Sequence, residues 1–266
     1  MCSLSLTDED LGRIKSKITD FIANSVENAA ANGAIVALSG GVDSSVVALL
    51  AHDVVDVQAL ILPELGVTPR EDVFHATTIA ETHGIPYKLV KINDIITCIN
   101  AAKDLLGLSG GENQKVIVAN IKARARMILN YAVANTENRL VLGTGNRTEL
   151  RVGYFTKYGD GGVDILPIGS LYKTHVYQLA AYLALPDYII RKAPSAGLWV
   201  GQTDEEELGI RYTDLDKILV ELDKGRSVDQ ITRDLGINKR KIIEVHNRVL
   251  QSKHKLEMPP IAQVWD

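Results

Sequence analysis

The sequence predicts an α/β protein: a doubly wound parallel sheet with a helical C-terminal part. Three observations carry this. Short, β-branched apolar runs alternate with amphipathic stretches as far as Leu166. Those runs show little in/out alternation, as expected of strands covered on both faces. Beyond Leu166 only helix-like patterns remain. Alternating strand and helix implies right-handed crossovers and a parallel sheet.

The elements follow in order. Leu11 to Ala31 carries a helical stripe of Leu11, Ile14, Ile18, Phe21, Ile22 and Val26. Ala34–Leu38 (AIVAL), Val57–Leu62 (VQALIL), Tyr87–Ile92 (YKLVKI) and Arg139–Leu142 (RLVL) read as strands. Val42–Ala51, Arg70–His83 and Asn113–Ala134 read as the helices between them. Thr174–Leu185, Tyr212–Leu222, Ser227–Leu235 and Asn238–Gln251 are the later helices. Thr203, three residues before Glu206, reads as a capping box. With no linker, repeat or low-complexity segment, residues 1–266 are expected to form one continuous domain.

Composition bounds the function. The chain is 46% hydrophobic and 23% charged, with mean hydropathy +0.03, which excludes a mostly disordered chain. No apolar run approaches the ~18 residues of a membrane span. Met1 to Asp10 lacks the pattern of a secretory signal. Cys2 and Cys98 have no metal or redox spacing. A cytoplasmic protein is expected. The net charge of −4 speaks against general nucleic-acid binding. It hides a basic tail: Lys224 to Lys255 holds nine Lys or Arg against three Asp or Glu, a net +6, leaving −10 elsewhere.

The first strand runs into SGGVDSSV, Ser39 to Val46, and then an apolar helix. Strand, glycine turn and helix N-terminus make an anion site, with outward N–H groups and a positive dipole end. Gly40 and Gly41 allow close approach of the backbone to phosphate oxygens. There is no G-x-x-x-x-G-K-[ST], and no G-x-G-x-x-G follows this strand. Gly143 and Gly145 begin a G-x-G, but Thr148 stands at the third glycine. An aspartate inside an anion loop is unfavourable without a cation beside it, so Asp43 is a candidate Mg2+ ligand. The bland alternative has Asp43 capping its helix.

These residues resemble the PP-loop, or N-type, ATP pyrophosphatases, whose fold is Rossmann-like and adenine nucleotide alpha hydrolase-like. Members break ATP between its α- and β-phosphates. Within that superfamily four further blocks resemble ammonia-dependent NAD synthetase: Asn120–Met127, Leu142–Thr174, Lys192–Tyr212 and Ser252–Pro260. The resemblance implies the reaction of deamido-NAD, ATP and ammonia to NAD, AMP and pyrophosphate, the last step of NAD biosynthesis. It implies that Ser39, Gly40, Gly41, Val42, Asp43 and Ser44 hold ATP phosphates, with Thr144, Lys173 and Ser195 as further ATP contacts. Asp43 and Glu149 are implied Mg2+ ligands. Lys173 is implied to stabilise charge on the phosphates, and Asp160 to handle ammonia. Arg124, Lys157, Asp164, His254 and Lys255 are implied deamido-NAD contacts. The resemblance also implies a homodimer. With one helix ahead of Ser39, no glutaminase domain is expected, so free or donated ammonia is the nitrogen source.

Bland readings stand beside these. Arg124 and Arg126 lie about 200° apart on a helix, so one of them is expected to be a solvated surface charge; the resemblance selects Arg124 for the site. Glu149 has Arg147 and Arg151 close by for a surface ion pair. Lys173 could cap a turn, and Asp164 could be a strand-end residue. Tyr154, Phe155 and Tyr158 fit either a core or a stacking wall, and with Gly161 and Gly162 they suit a lid. GMP synthetase shares the loop, but the YFTKYGDGG and GQTDEEELG blocks are foreign to it. A tRNA-thiolating enzyme would need placed cysteines. Ser227–Gln251, with Gly236 in the turn and Lys239, Arg240 and Lys241 after it, has the look of a DNA-binding helix-turn-helix. In a chain of net charge −4, no nucleic-acid partner is expected.

Overall fold

The computed structural model describes residues 4–105, 107 and 114–265. Helix α1 (Asp8–Asn28) leads into β1 (Gly33–Ala37), α2 (Val42–His52), β2 (Val57–Ile61), α3 (Arg70–His83) and β3 (Tyr87–Leu89). Then come α4 (Asn93–Leu105), α5 (Gln114–Glu137), β4 (Arg139–Leu142) and α6 (Arg147–Val152). The C-terminal part holds α7 (Lys173–Tyr182), α8 (Asp187–Ile190), α9 (Asp204–Leu208), α10 (Tyr212–Asp223), α11 (Val228–Leu235) and α12 (Lys239–Leu256). Cys2, and Asn113 at the expected start of α5, lie outside the described residues.

Among the described residues the sheet has the order β3-β2-β1-β4 and every pairing is parallel. The chain steps outward from β1 to β3, then returns to the other side of β1 as β4. The reversal leaves a crevice beyond the carboxyl ends of β1 and β4, where ligands of such sheets bind. Alternate residues of the central strands serve two cores. Ala34, Val36, Ala59 and Ile61 pack with α1, α2, α3 and α7, while Ile35, Leu60 and Val141 pack with α4 and α5. Both faces are buried, which is why these strands read as unbroken apolar runs.

Strand β3 departs from the expectation of cover on both faces. Lys88 and Leu89 are exposed, and the strand stops at Leu89, three residues short of Ile92. It is an edge strand, pairing with β2 alone. The capping box at Thr203 is also absent: Thr203 makes no side-chain cap bond to α9. Capping boxes form instead at Thr7–Asp10, Asn146–Glu149 and Ser227–Gln230.

A third core, from Val152, Tyr172, Leu208, Tyr212, Leu215, Ile218, Leu219, Ile231, Ile242 and Val245, joins α6, α7 and the last four helices. These helices bring the polar residues of α9 and α10 to the crevice. The three basic residues that open α12 are paired at home: Lys239 with Asp229, and Arg240 and Lys241 with Glu244.

Candidate active site

The glycine loop is stitched by its own hydroxyls. Ser39 N–H donates to Ser44 Oγ (3.2 Å), and Gly41 N–H to Ser39 Oγ (3.3 Å). Ser44 and Ser45 hydroxyls donate to the Gly41 carbonyl (3.1 and 2.8 Å). Gly40 adopts φ +78°, and a Cβ there would lie 2.3 Å from the Asp72 carbonyl oxygen. Only glycine fits this turn.

Asp43, the second residue of α2, caps nothing at Gly41 and points into the crevice. Its Oδ1 accepts from Asn146 Nδ2 (2.9 Å), and its Oδ2 pairs with Lys173 Nζ. Glu149 Oε1 lies 3.6 Å from the same ammonium, while Oε2 accepts the Asn146 N–H (3.2 Å). Asn146 therefore joins both carboxylates. It is fully buried, and the sequence marks it only as the first residue of a glycosylation sequon in form, not as part of the site. The signal was available: N-R-T-E, Asn146 to Glu149, is a capping box just before a helix. Arg147 and Arg151 both pair with Asp223, so Glu149 is left facing inward and the surface ion-pair alternative falls.

Burial raises Glu149 to about 8, and neighbouring Asp43 adds to the rise against the pull of Lys173. For Lys173 burial works downward, but Asp43 and Glu149 outweigh it and hold the ammonium above the ordinary lysine value. Two carboxylates in close quarters thus need a cation, which Lys173 supplies here. The lysine is fixed from behind. Its backbone N–H donates to Thr148 Oγ1 (2.9 Å), and Thr148 donates to Asp216 (2.5 Å). Buried Asp216 also takes the Thr174 N–H and hydroxyl (2.8 and 2.6 Å).

The crevice opens as a cleft of ≈ 430 Å³. Of the expected residues, Ser39, Gly41, Val42, Asp43, Ser44, Thr144, Glu149, Asp160, Lys173, Ser195 and Lys255 line it. Asp160 faces the cleft, accepts the Thr156 N–H (2.8 Å), and is raised by burial. Lys255 spends its ammonium on the Gly153 and Phe155 carbonyls (2.7 and 2.9 Å); burial lowers its pKa. Tyr154 and Phe155 are walls, with the Tyr154 hydroxyl donating to Glu207 (2.8 Å); Tyr158 is exposed.

Other expected residues sit outside this cleft. Arg124 is exposed and donates to the Lys157 carbonyl (3.3 Å). Lys157 Nζ reaches the His254 and Glu257 carbonyls (2.5 and 3.1 Å). These residues form a surface group at the end of α12. Asp164 accepts the Val141 N–H (2.7 Å) and the Tyr131 hydroxyl (2.9 Å), as a strand-end residue does. The arginine pair needs a correction: Arg126 is not a solvated charge. It lines the cleft and donates to the Leu62 carbonyl (3.1 Å), while Arg124 is the one in solvent. Helical spacing shows that the two point apart, but not which side carries the cleft. Asp72, Lys192 and Asp204 are also cleft residues the sequence reading passed over.

Fold and cleft define a class: an α/β protein whose glycine loop, at the switch point of a parallel sheet, is built for a phosphorylated ligand. The family model for NAD synthase matches residues 14–259, so the chain belongs to the NAD synthase family. It is 51% identical to the NH3-dependent NAD+ synthetase of Archaeoglobus fulgidus, over 96% of this chain and 98% of that one. Among solved structures it is similar to NMN synthetase from Francisella tularensis (TM-score 0.84, 32% identity, 97% of this chain and 99% of that one). It is also similar to the NH3-dependent NAD synthetase of Campylobacter jejuni in complex with nitrate (TM-score 0.79, 30% identity, 96% and 100%).

Proposed function

We propose that the chain is an NH3-dependent NAD+ synthetase that activates the carboxylate of deamido-NAD with ATP. The observation that carries this is the convergence of Asp43, Glu149 and Lys173 beside the glycine loop. The substrate carboxylate attacks the α-phosphorus and the bond to the β-phosphate breaks. An acyl-adenylate forms and pyrophosphate leaves. Ammonia then attacks the acyl carbon, AMP departs, and a proton is lost from nitrogen. No protein nucleophile is needed; the protein aligns the reactants and offsets negative charge.

The loop Ser39–Ser44 binds the β/γ-phosphates through N–H groups and hydroxyls, and Lys173 stabilises the leaving pyrophosphate. Thr144 and Ser195 hold the nucleotide where they line the cleft. Two carboxylates, one of them raised by burial and further by the other, suit Mg2+, which takes few protein carboxylates and keeps phosphate and water ligands. Asp43 and Glu149 would hold it, and when bound it offsets the charge of the phosphates. Asp160 presents a carboxyl for receiving the ammonium proton. We assign deamido-NAD to the side of the cleft bounded by Lys255 and the surface group Arg124, Lys157 and His254; the role of Asp164 there rests on the resemblance alone. A second subunit covering this exposed group fits a homodimer. Among the described residues no helix is long and apolar enough to cross a membrane.

The test is incubation of the purified chain with ATP, Mg2+, ammonium and deamido-NAD. The expected products are NAD, AMP and pyrophosphate; ADP instead of AMP overturns the mechanism. Glutamine without ammonium is expected to give no turnover. The likeness to an NMN synthetase favours one second reading, amidation of the corresponding mononucleotide. Turnover of nicotinate mononucleotide at higher kcat/KM than the dinucleotide would select it.

A further inference from the structure

The cleft contains a cation that nothing above uses. Lys192 is the second residue of the irregular segment 191–203, whose residues Ala193 to Trp199 form part of the cleft wall. Its Nζ lies 2.6 Å from Asp72 Oδ1 and 3.4 Å from the Gly40 carbonyl. Lys192 thus reaches the backbone of the glycine loop from outside it. The loop itself is pressed against Asp72, whose carbonyl leaves no room for a Cβ at Gly40.

Lys192 and Lys173 differ in how they are held. Lys173 is 3% exposed, sits against two carboxylates, and is anchored through Thr148. The Lys192 side chain is 22% exposed and has one carboxylate, at the base of an irregular segment. A lysine stem has four rotatable carbons, so its ammonium can move several ångströms while its backbone stays put. A phosphate group bound in the loop would carry more negative charge than Asp72 and would compete for that ammonium. Asp72, whose side chain is 15% exposed, then loses its partner, so the transfer costs the desolvation of that carboxylate and proceeds only because a phosphate offers the ammonium the larger charge.

We propose that Lys192 is a second phosphate-binding residue, stored on Asp72 when the loop is free and transferred to the β/γ-phosphates when nucleotide or pyrophosphate is bound. This rests on the ATP reading of the loop. The alternative is a static ion pair that merely ties segment 191–203 to α3.

The two accounts predict opposite signs for one variant. The probe is inorganic pyrophosphate with Mg2+ on the full chain, read by thermal-shift titration and by product inhibition. Lys192→Met is expected to weaken pyrophosphate binding and raise KM for ATP by about tenfold, the loss of one charge-assisted hydrogen bond. KM for deamido-NAD is expected to stay within about twofold, since substrates with separate contacts lose affinity independently. Asp72→Asn removes the competitor and is expected to tighten pyrophosphate about threefold. Weaker pyrophosphate binding in Asp72→Asn, equal to that in Lys192→Met, overturns the proposal in favour of the static pair. So does unchanged pyrophosphate binding in Lys192→Met. Should Lys192→Met not fold, Lys192→Arg, which keeps the charge, and Asp72→Asn still decide the sign. Failure of wild type to form AMP and pyrophosphate would instead refute the underlying reading.

Discussion

Gly40→Ala tests how tightly the phosphate loop is seated. Gly40 and Gly84 both have positive φ, +78° and +67°. Alanine in that region costs about 1–2 kcal/mol, offset by about 0.4–1 kcal/mol from a stiffer unfolded chain. Around Gly84, the C-cap of α3, nothing lies within 4 Å of an added Cβ. Gly84→Ala should therefore cost about 1 kcal/mol, the backbone penalty alone. At Gly40 the new Cβ meets the Asp72 carbonyl at 2.3 Å and the Ala76 nitrogen at 3.2 Å. Both are backbone atoms of α3, so the helix or the loop must move. Forcing such overlap adds about 1–3 kcal/mol, for a total of about 2–4 kcal/mol. For a chain of this size that lowers Tm by about 4–16 °C, against about 2–4 °C for Gly84→Ala. The assay is thermal unfolding of both variants, with KM for ATP measured alongside. Gly40→Ala should raise that KM and Gly84→Ala should not. Equal Tm losses would refute the argument, because they would show that the loop yields freely against α3.

Three further outcomes follow from buried polar contacts. Lys122 and Glu64 pair at 2.7 Å with side chains 7% and 12% exposed, and Lys122 also holds the Leu198 carbonyl. Lys122→Met should cost about 3–5 kcal/mol in urea unfolding, and adding Glu64→Gln should recover much of it, because a lone buried charge is worse than none. Asp223 accepts from Tyr172, Arg147 and Arg151. Burial pushes its carboxyl up, but the Tyr172 and Arg147 hydrogen bonds and the arginine charges outweigh it and hold the pKa below the usual value. Its contribution is therefore full above the unfolded aspartate pKa of about 3.9 and is lost as pH falls through the lower folded value. Asp223→Asn should be about 1–2 kcal/mol less stable than wild type at pH 7, with the gap closing in denaturation curves taken below that range. Asp216→Ala strands the Thr148 and Thr174 hydroxyls and the Thr174 N–H; it should cost about 2–4 kcal/mol and lower kcat more than KM for ATP, since Lys173 hangs on Thr148.

Much of the fold was readable because its signals are local. The strands at 34–38, 57–62 and 139–142 appear within a residue or so of their expected limits, each defined by a run of apolar side chains. The apolar run at 87–92 is longer than the strand it forms, Tyr87–Leu89, because an edge position depends on what else pairs, which no run of residues records. At Thr203 the box pattern is present but the cap bond is not; the tertiary contacts of that first turn are made by its neighbours, Asp204 with the Tyr154 and Tyr212 hydroxyls (3.1 Å each) and Glu205 with the Tyr212 N–H (2.8 Å). At the site, Asp43 could be singled out as a charge in the wrong place for an anion loop. Arg126 could not, since facing in or out is decided by the packing of α5 on the sheet.

By itself, then, the sequence determined the α/β class, the order of its elements and the phosphate loop, because periodicity and glycine geometry act between neighbours in the chain. The tertiary structure alone decided which polar groups meet. Asn146 reaches Asp43 across 103 residues, Lys173 across 130, and Lys192 reaches Gly40 across 152. Hydrogen bonds and ion pairs act over a few ångströms, so they exist only where the three cores bring the ends of β1 and β4, α6, α7 and segment 191–203 to one crevice.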